Sequence, residues 1–327
     1  MHVNINLMLI SESLYNILLL SYSNVCLVMK FRKAVSPVIS TIVLTSIMLI
    51  IAIIAAGFAI NMFAIQSDVV EFEQAKNVMV NFAGIVESVA SREGASGYVR
   101  LNPRSGGPYF VKDYAKVSVY VSNGQGPIYL LKDNSTNLFK IKGGSLSNAP
   151  GRIILRGENY GSSSLSSIIV NNSAPLGVVY VEQSEGAWIV LNFSRISVLY
   201  LGTFNFSRGL DNQGRSKGFD LVNIIQVYYI NITLGEFKGS GSMDLVAKCT
   251  NITTNYFIIN CPINNVQPGN NYSITFSLRL GSGEESYSLR VPAADENYYV
   301  MQQDKKYLPI NTVIVFVKST VEINVVG

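Results

Sequence analysis

Histidine is all but missing: the 327 residues contain one, His2. That excludes most chemistry that leans on imidazole, including acyl-transfer triads, zinc sites with several His ligands and His general bases. Charge is scarce too, with 25 Lys and Arg against 21 Asp and Glu and a net charge of +4. The only early cluster of cations is Lys30, Arg32 and Lys33, so no basic stripe is available to hold nucleic acid. Tryptophan occurs once and cysteine three times. In their place the chain has Ser, Thr, Asn, Gly and Tyr, a polar uncharged surface suited to the outside of a cell. Its length exceeds what one small domain needs, so burying a core is not limiting.

Of the three cysteines, Cys249 and Cys261 bracket "CTNITTNYFIINC" with eleven residues between them. In an oxidising compartment that spacing suits a disulfide across a strand-loop-strand, and closing so short a loop is worth roughly 3 kcal/mol. The other reading is two unpaired, buried thiols.

Charge is missing altogether from Ala34 to Ser67, where "VSPVISTIVLTSIMLIIAIIAAGFAINMFAI" is rich in Ile, Leu, Val and Ala. A spanning helix needs about 20 apolar residues, so this run can cross a membrane. Lys30, Arg32 and Lys33 precede it and Asp68, Glu71 and Glu73 follow it, which by the positive-inside rule places the preceding residues in the cytoplasm and all later ones outside. Pro37 marks the helix start, since in the first turn the missing N–H has no intrahelical acceptor to lose. Beyond the apolar run Val69, Phe72, Ala75, Met79, Phe82, Val86 and Val89 recur at three- and four-residue spacing, predicting an amphipathic continuation to about residue 92. Such a helix would be roughly 85 Å long. Val78, Val80, Gly84 and Ile85 widen the stripe, which predicts packing against several neighbouring helices.

The stretch "RKAVSPVIS" followed by this helix resembles the N-terminus of archaeal type IV pilins, the wider group that includes archaellins. The resemblance covers residues 30 to about 90 and implies cleavage by a membrane prepilin peptidase. Arg32 and Lys33 match the basic determinants, Ala34 the last leader residue and Val35 the new N-terminus. Ile39 stands at the fifth mature position, where bacterial pilins usually carry glutamate and archaeal members commonly do not. The implied protein is a non-enzymatic subunit of an extracellular filament, without cofactor or metal. Its partners are copies of itself, the peptidase, the membrane, and cell-surface or glycan ligands, with no nucleic acid. It sits in the cell membrane before assembly and in an extracellular filament or at the cell surface after. The large outer region suggests surface adhesion rather than motility. The alternatives are a membrane-anchored extracellular binding protein, whose basic flank serves topology alone, or a minor pilus component.

Residues 1–28, with an apolar stretch from Ser13 to Met29, are longer and less polar than such a leader. Translation starting at Met29 would give the leader "MKFRKA". Cleavage after Ala34 removes three cations and Glu12, leaving a net charge of +2.

After a Gly-rich elbow the pattern changes to period two, as in "KVSVYVS" and "YSITFSLRL", predicting many half-buried strands without an intervening helix. The fold class expected is α+β: a long N-terminal transmembrane and amphipathic helix followed by an antiparallel β-sandwich-rich outer region. The domains expected are a leader (1–34), the helix (35–93), a first β-rich lobe (94–206), a turn-rich linker (207–218) and a second β-rich lobe (219–327). Seven Asn-x-Ser/Thr sequons, at Asn134, Asn171, Asn192, Asn205, Asn231, Asn251 and Asn271, fall in this outward region and are candidate glycosylation sites.

Catalytic signals are weak. "GLDNQGRS" carries Arg215 where a phosphate-binding loop needs lysine, and it reads as a turn. Glu284 with Glu285, and Asp295 with Glu296, stand in polar loop contexts and read as solvated. Trp188 reads as a core residue of a strand, with sugar stacking as the other role. Asn61, near the outer end of the apolar run, either bonds to a neighbouring helix or lies at headgroup level.

Overall fold

The computed structural model describes residues 37–103, 106–122, 126–144, 147–149, 151–157, 167–170, 174–207, 209, 212–214, 219–238, 241–260, 271–292 and 311–327. Among the described residues one helix, α1 (Pro37–Ala90), precedes thirteen strands. These are β1 (Ser96–Leu101), β2 (Gly107–Ser122), β3 (Pro127–Lys142), β4 (Ile153–Arg156), β5 (Ile169–Val170), β6 (Val178–Gln183) and β7 (Ala187–Asn192). They continue with β8 (Ile196–Ser207), β9 (Phe219–Lys238), β10 (Met243–Asn260), β11 (Asn271–Leu280), β12 (Gly283–Pro292) and β13 (Asn311–Val326). The chain divides into two compact units at Ala64, within α1.

The strands form a six-stranded sheet, β1-β10-β13-β9-β8-β5, and a seven-stranded sheet, β12-β11-β2-β3-β7-β6-β4. Each sheet mixes strands from before and after residues 207–218, so two sequential lobes are not what the chain builds. β1 pairs with β10, β11 with β2, and β8 with β9 across the supposed linker. Local alternation shows where a strand lies, but its partner is chosen by distant residues that complete a core. Nor is the β region purely antiparallel: β13 runs parallel to β9 over most of its length, and β5 runs parallel to β8.

Burial along β9 explains why the sheets are not simply stacked face to face. Ile225, Val227 and Tyr229 enter one core cluster, whereas Ile230 and Ile232 enter another. Pairing with β13 continues through this point without a register shift. Alternate strand residues point to opposite faces, so β9 buries one face along its first half and the other along its second. The first face meets Val117, Val119, Val121, Ile274, Phe276 and Leu278 of the other sheet. The second shares its cluster with α1.

The latter half of α1 supplies Phe72, Ala75, Met79, Phe82, Ala83, Val86, Val89 and Ala90 to that cluster. Their neighbours are Phe139, Ile141, Val179, Val181, Ile189 and Leu191 from the seven-stranded sheet, and Ile230, Ile232, Leu245, Ala247, Val321 and Ile323 from the six-stranded sheet. The stripe expected to meet several helices is covered by strands of its own chain, from both sheets. Val69 alone of the seven stripe residues stays exposed.

"CTNITTNYFIIN" is a single stretch of β10 rather than a strand-loop-strand, broken only by a bulge between Cys249 and Asn251. Cys249 and Asn260 therefore stand about 36 Å apart at strand rise, against less than about 7 Å between the Cα atoms of a disulfide. Cys249 is a free, buried thiol, and burial pushes its pKa up. The bridge to Cys261 is not formed; Cys261 itself lies outside the described residues.

Candidate functional site: the uncharged half of the helix

From Pro37 to Ala64, α1 has no charged residue and no buried position among those whose exposure is described. The exposed side chains include Ile42, Leu44, Ile47, Leu49, Ile50, Ile53, Phe58, Ile60 and Phe63. At about 1.5 Å per residue these 28 residues extend about 42 Å, enough to cross a hydrocarbon layer of about 30 Å. This is the one helix among the described residues long and apolar enough to span a membrane. Its hydroxyl groups do not spoil it for an apolar medium. Thr45 donates to the carbonyl of Thr41 at 2.9 Å and Ser46 to that of Ile42 at 2.8 Å, so each is satisfied within the helix. Asn61 is exposed.

The other half is locked into the β unit by polar contacts at its end as well as by its apolar stripe. The Ala90 carbonyl, one of the orphan acceptors at a helix C-terminus, accepts from the Tyr228 hydroxyl and from the Ser319 hydroxyl, both at 2.7 Å. Gly94 then takes a positive φ of 78° and donates its N–H to the Cys249 carbonyl at 2.9 Å. One turn earlier, Glu87 accepts from both terminal nitrogens of Arg156, at 2.9 and 2.6 Å, and from the Gly177 N–H at 2.7 Å. The fork geometry of guanidinium on carboxylate makes this a strong, directional tie. It joins α1 to β4 and to the segment preceding β6.

The residues matched to a processing site, Arg32, Lys33, Ala34 and Val35, lie outside the described residues, and α1 is described from Pro37. Among the sequons, Asn171 also lies outside them, and the side chains of Asn205 in β8 and Asn271 in β11 are not described. Asn251 is exposed at its bulge. Asn134, Asn192 and Asn231 are half-buried. Asn192 accepts from both the backbone N–H and the hydroxyl of Ser194, which is itself buried.

Trp188 packs at the margin of a small core cluster that includes Leu138, Ile154 and Tyr180. It lies half-buried on β7, packs edge-on against Tyr109 at 5.9 Å, and has the ammonium groups of Lys140 and Lys142 at 5.8 and 5.5 Å from its ring. Glu284 and Glu285 do not act as a pair. Glu284 takes Tyr120 and Arg279, which hold its carboxylate below the ordinary range, while Glu285 takes the Ser167 hydroxyl and the Ile168 N–H. "GLDNQGRS" joins antiparallel β8 and β9, and a strand follows it where a phosphate-binding loop requires a helix. Asp295 and Glu296 lie outside the described residues. Among the described residues no three His, Cys, Asp or Glu side chains cluster to hold a metal.

Sequence reasoning missed a polar seam between the sheets. Lys318 of β13 and Tyr229 of β9 are register partners, and Asn231 follows two residues along β9 on the same face. Opposite them stands Asn134 of β3, whose Oδ1 accepts from Lys318 Nζ at 2.7 Å. The Tyr229 hydroxyl and Asn231 Oδ1 are buried without a hydrogen-bond partner among the described residues. Burial pushes Tyr229 up to about 12, and the nearby Thr136 and Asn134 side chains offset part of that rise. The available signal was Lys318, a lone cation inside "TVIVFVKSTVEINVV". Comparisons with protein-family models, curated proteins and solved structures found no match to this chain.

Proposed function

We propose that the chain is a pilin-like subunit of an archaeal extracellular type IV filament, cleaved between Ala34 and Val35 by a prepilin peptidase and assembled through α1. One observation carries the reading: an uncharged, exposed helical half from Pro37 to Ala64 continues without a break into a half buried between strands of both sheets. A plain anchor needs only the first half. A subunit of a filament needs both an apolar half for assembly and a folded outer unit to display. Leaving lipid is costly for such a helix unless an equally apolar helix bundle takes it in, and copies of itself supply that bundle. On this reading the two sheets close as a sandwich around the end of α1 and coat the filament, where they serve adhesion to surfaces or cells. Among the sequons whose exposure is described, Asn251 on β10 is the exposed one and the best placed to carry a glycan.

A second reading, a membrane-anchored binding protein or minor pilus component, draws on the Trp188 and Tyr109 pair with its two lysines, an outward aromatic platform that a sugar could stack on. Fractionation separates the two. Shearing native cells and sedimenting the supernatant should recover the chain abundantly in fibres visible by negative stain. Recovery only in detergent-solubilised membrane would overturn the filament reading in favour of the anchor.

A further inference from the structure

We propose that Lys318 and Asn134 join their side chains in an isopeptide bond that staples β13 to β3, one sheet to the other. The inference is independent of filament assembly and rests on the polar seam. A half-buried ammonium with no ion pair among the described residues is an expensive feature in a fold. Here its one hydrogen bond is to a carboxamide oxygen, at 2.7 Å. The amide carbon lies one carbonyl bond, about 1.2 Å, beyond that oxygen, so nucleophile and electrophile are held close to the separation from which reaction proceeds.

The surroundings supply the other requirements. Attack needs the neutral amine, and burial pulls Lys318 below the ordinary lysine range, which brings that form nearer to hand. Attack also needs a donor for the charge that develops on Oδ1. Tyr229 is the register partner of Lys318, and its buried hydroxyl lies close enough to the Asn134 and Thr136 side chains for both to lower its pKa. Its raised pKa keeps it protonated. The Asn134 amide nitrogen donates to the Ser135 carbonyl at 3.0 Å, which fixes the plane of the group under attack.

The step balances without a co-reactant. The lone pair of neutral Nζ forms a bond to Cγ of Asn134 while Oδ1 takes up charge under the Tyr229 O–H. The Cγ–Nδ2 bond then breaks, Nδ2 takes a proton from Nζ, and ammonia leaves. An amine and a primary amide become a secondary amide and ammonia, and the buried charge is removed.

The test is intact mass spectrometry of the full chain in detergent, followed by proteolysis and peptide sequencing. The expected mass is lower than the sequence mass by one ammonia, with a branched peptide joining the Asn134 and Lys318 segments. Lys318→Arg should restore the lost mass. Tyr229→Phe, which removes only the phenol hydroxyl, should slow joining by about a hundredfold. An unreduced mass overturns the proposal. So does loss of ammonia without a branched peptide, or loss that persists in Lys318→Arg, since either marks a succinimide at Asn134. A glycan on Asn134 overturns it as well, because the same nitrogen cannot both carry a sugar and leave.

Discussion

Glu87 shows how much one side chain can hold. It meets Arg156 and the Gly177 N–H from a helix packed mainly through apolar side chains, and both charged side chains are less than a quarter exposed. Glu87→Gln leaves a guanidinium in a largely dry site with half its partners, and should cost about 2 kcal/mol of stability. Urea unfolding followed by circular dichroism measures it, and an unchanged midpoint would show that water replaces the carboxylate. Tyrosines set the alkaline limit. Burial raises Tyr228, Tyr229 and Tyr180. Their folded pKa values exceed the unfolded value near 10.0, so the stability they contribute is complete below that pH and is lost as pH climbs through the folded values, about 12 for Tyr229. The unfolding midpoint should therefore fall between about pH 9 and about pH 11. A midpoint that rises over that interval would contradict the burial of these phenols.

At the scale of elements, α1 has two halves with different roles, and truncation distinguishes them. A chain beginning at Ile65 keeps every helical residue of the core cluster and should fold without detergent. A chain beginning at Ser91 loses Phe72, Met79, Phe82 and Val86 together and should not fold. Phe82→Ala in the longer chain should cost about 3–5 kcal/mol, read by thermal or urea unfolding. If the chain from Ser91 unfolds as cooperatively as the chain from Ile65, the helix is packed on the β unit rather than built into it. The helix was legible in the sequence because its signals are local: absence of charge, a proline in the first turn, and a stripe of Phe72, Met79, Phe82 and Val86. Strand positions such as Val117, Val119 and Val121 were legible for the same reason. Pairing was not, because β1 finds β10 some 140 residues away and β9 changes its buried face at Tyr229 and Ile230, with neither event marked by a turn residue. The expectation of a Cys249 bridge failed on the same ground: spacing was read as a loop where Val321 and its neighbours hold one continuous strand.

At the scale of the whole molecule, α1 has an exposed apolar half, and the β unit exposes Tyr98, Tyr109, Tyr129 and Tyr256. A soluble protein does not leave Ile47, Leu49, Ile50 and Phe58 half exposed or more along one helix without a medium to receive them. On the proposed reading lipid receives them first and other copies of the same helix receive them later. The most direct test is the mature N-terminus, read by mass spectrometry of native membranes and of sheared surface material. The account predicts an N-terminal peptide beginning at Val35 in the sheared fraction. A terminus at Met1 or Met29, found in membranes alone, would contradict it.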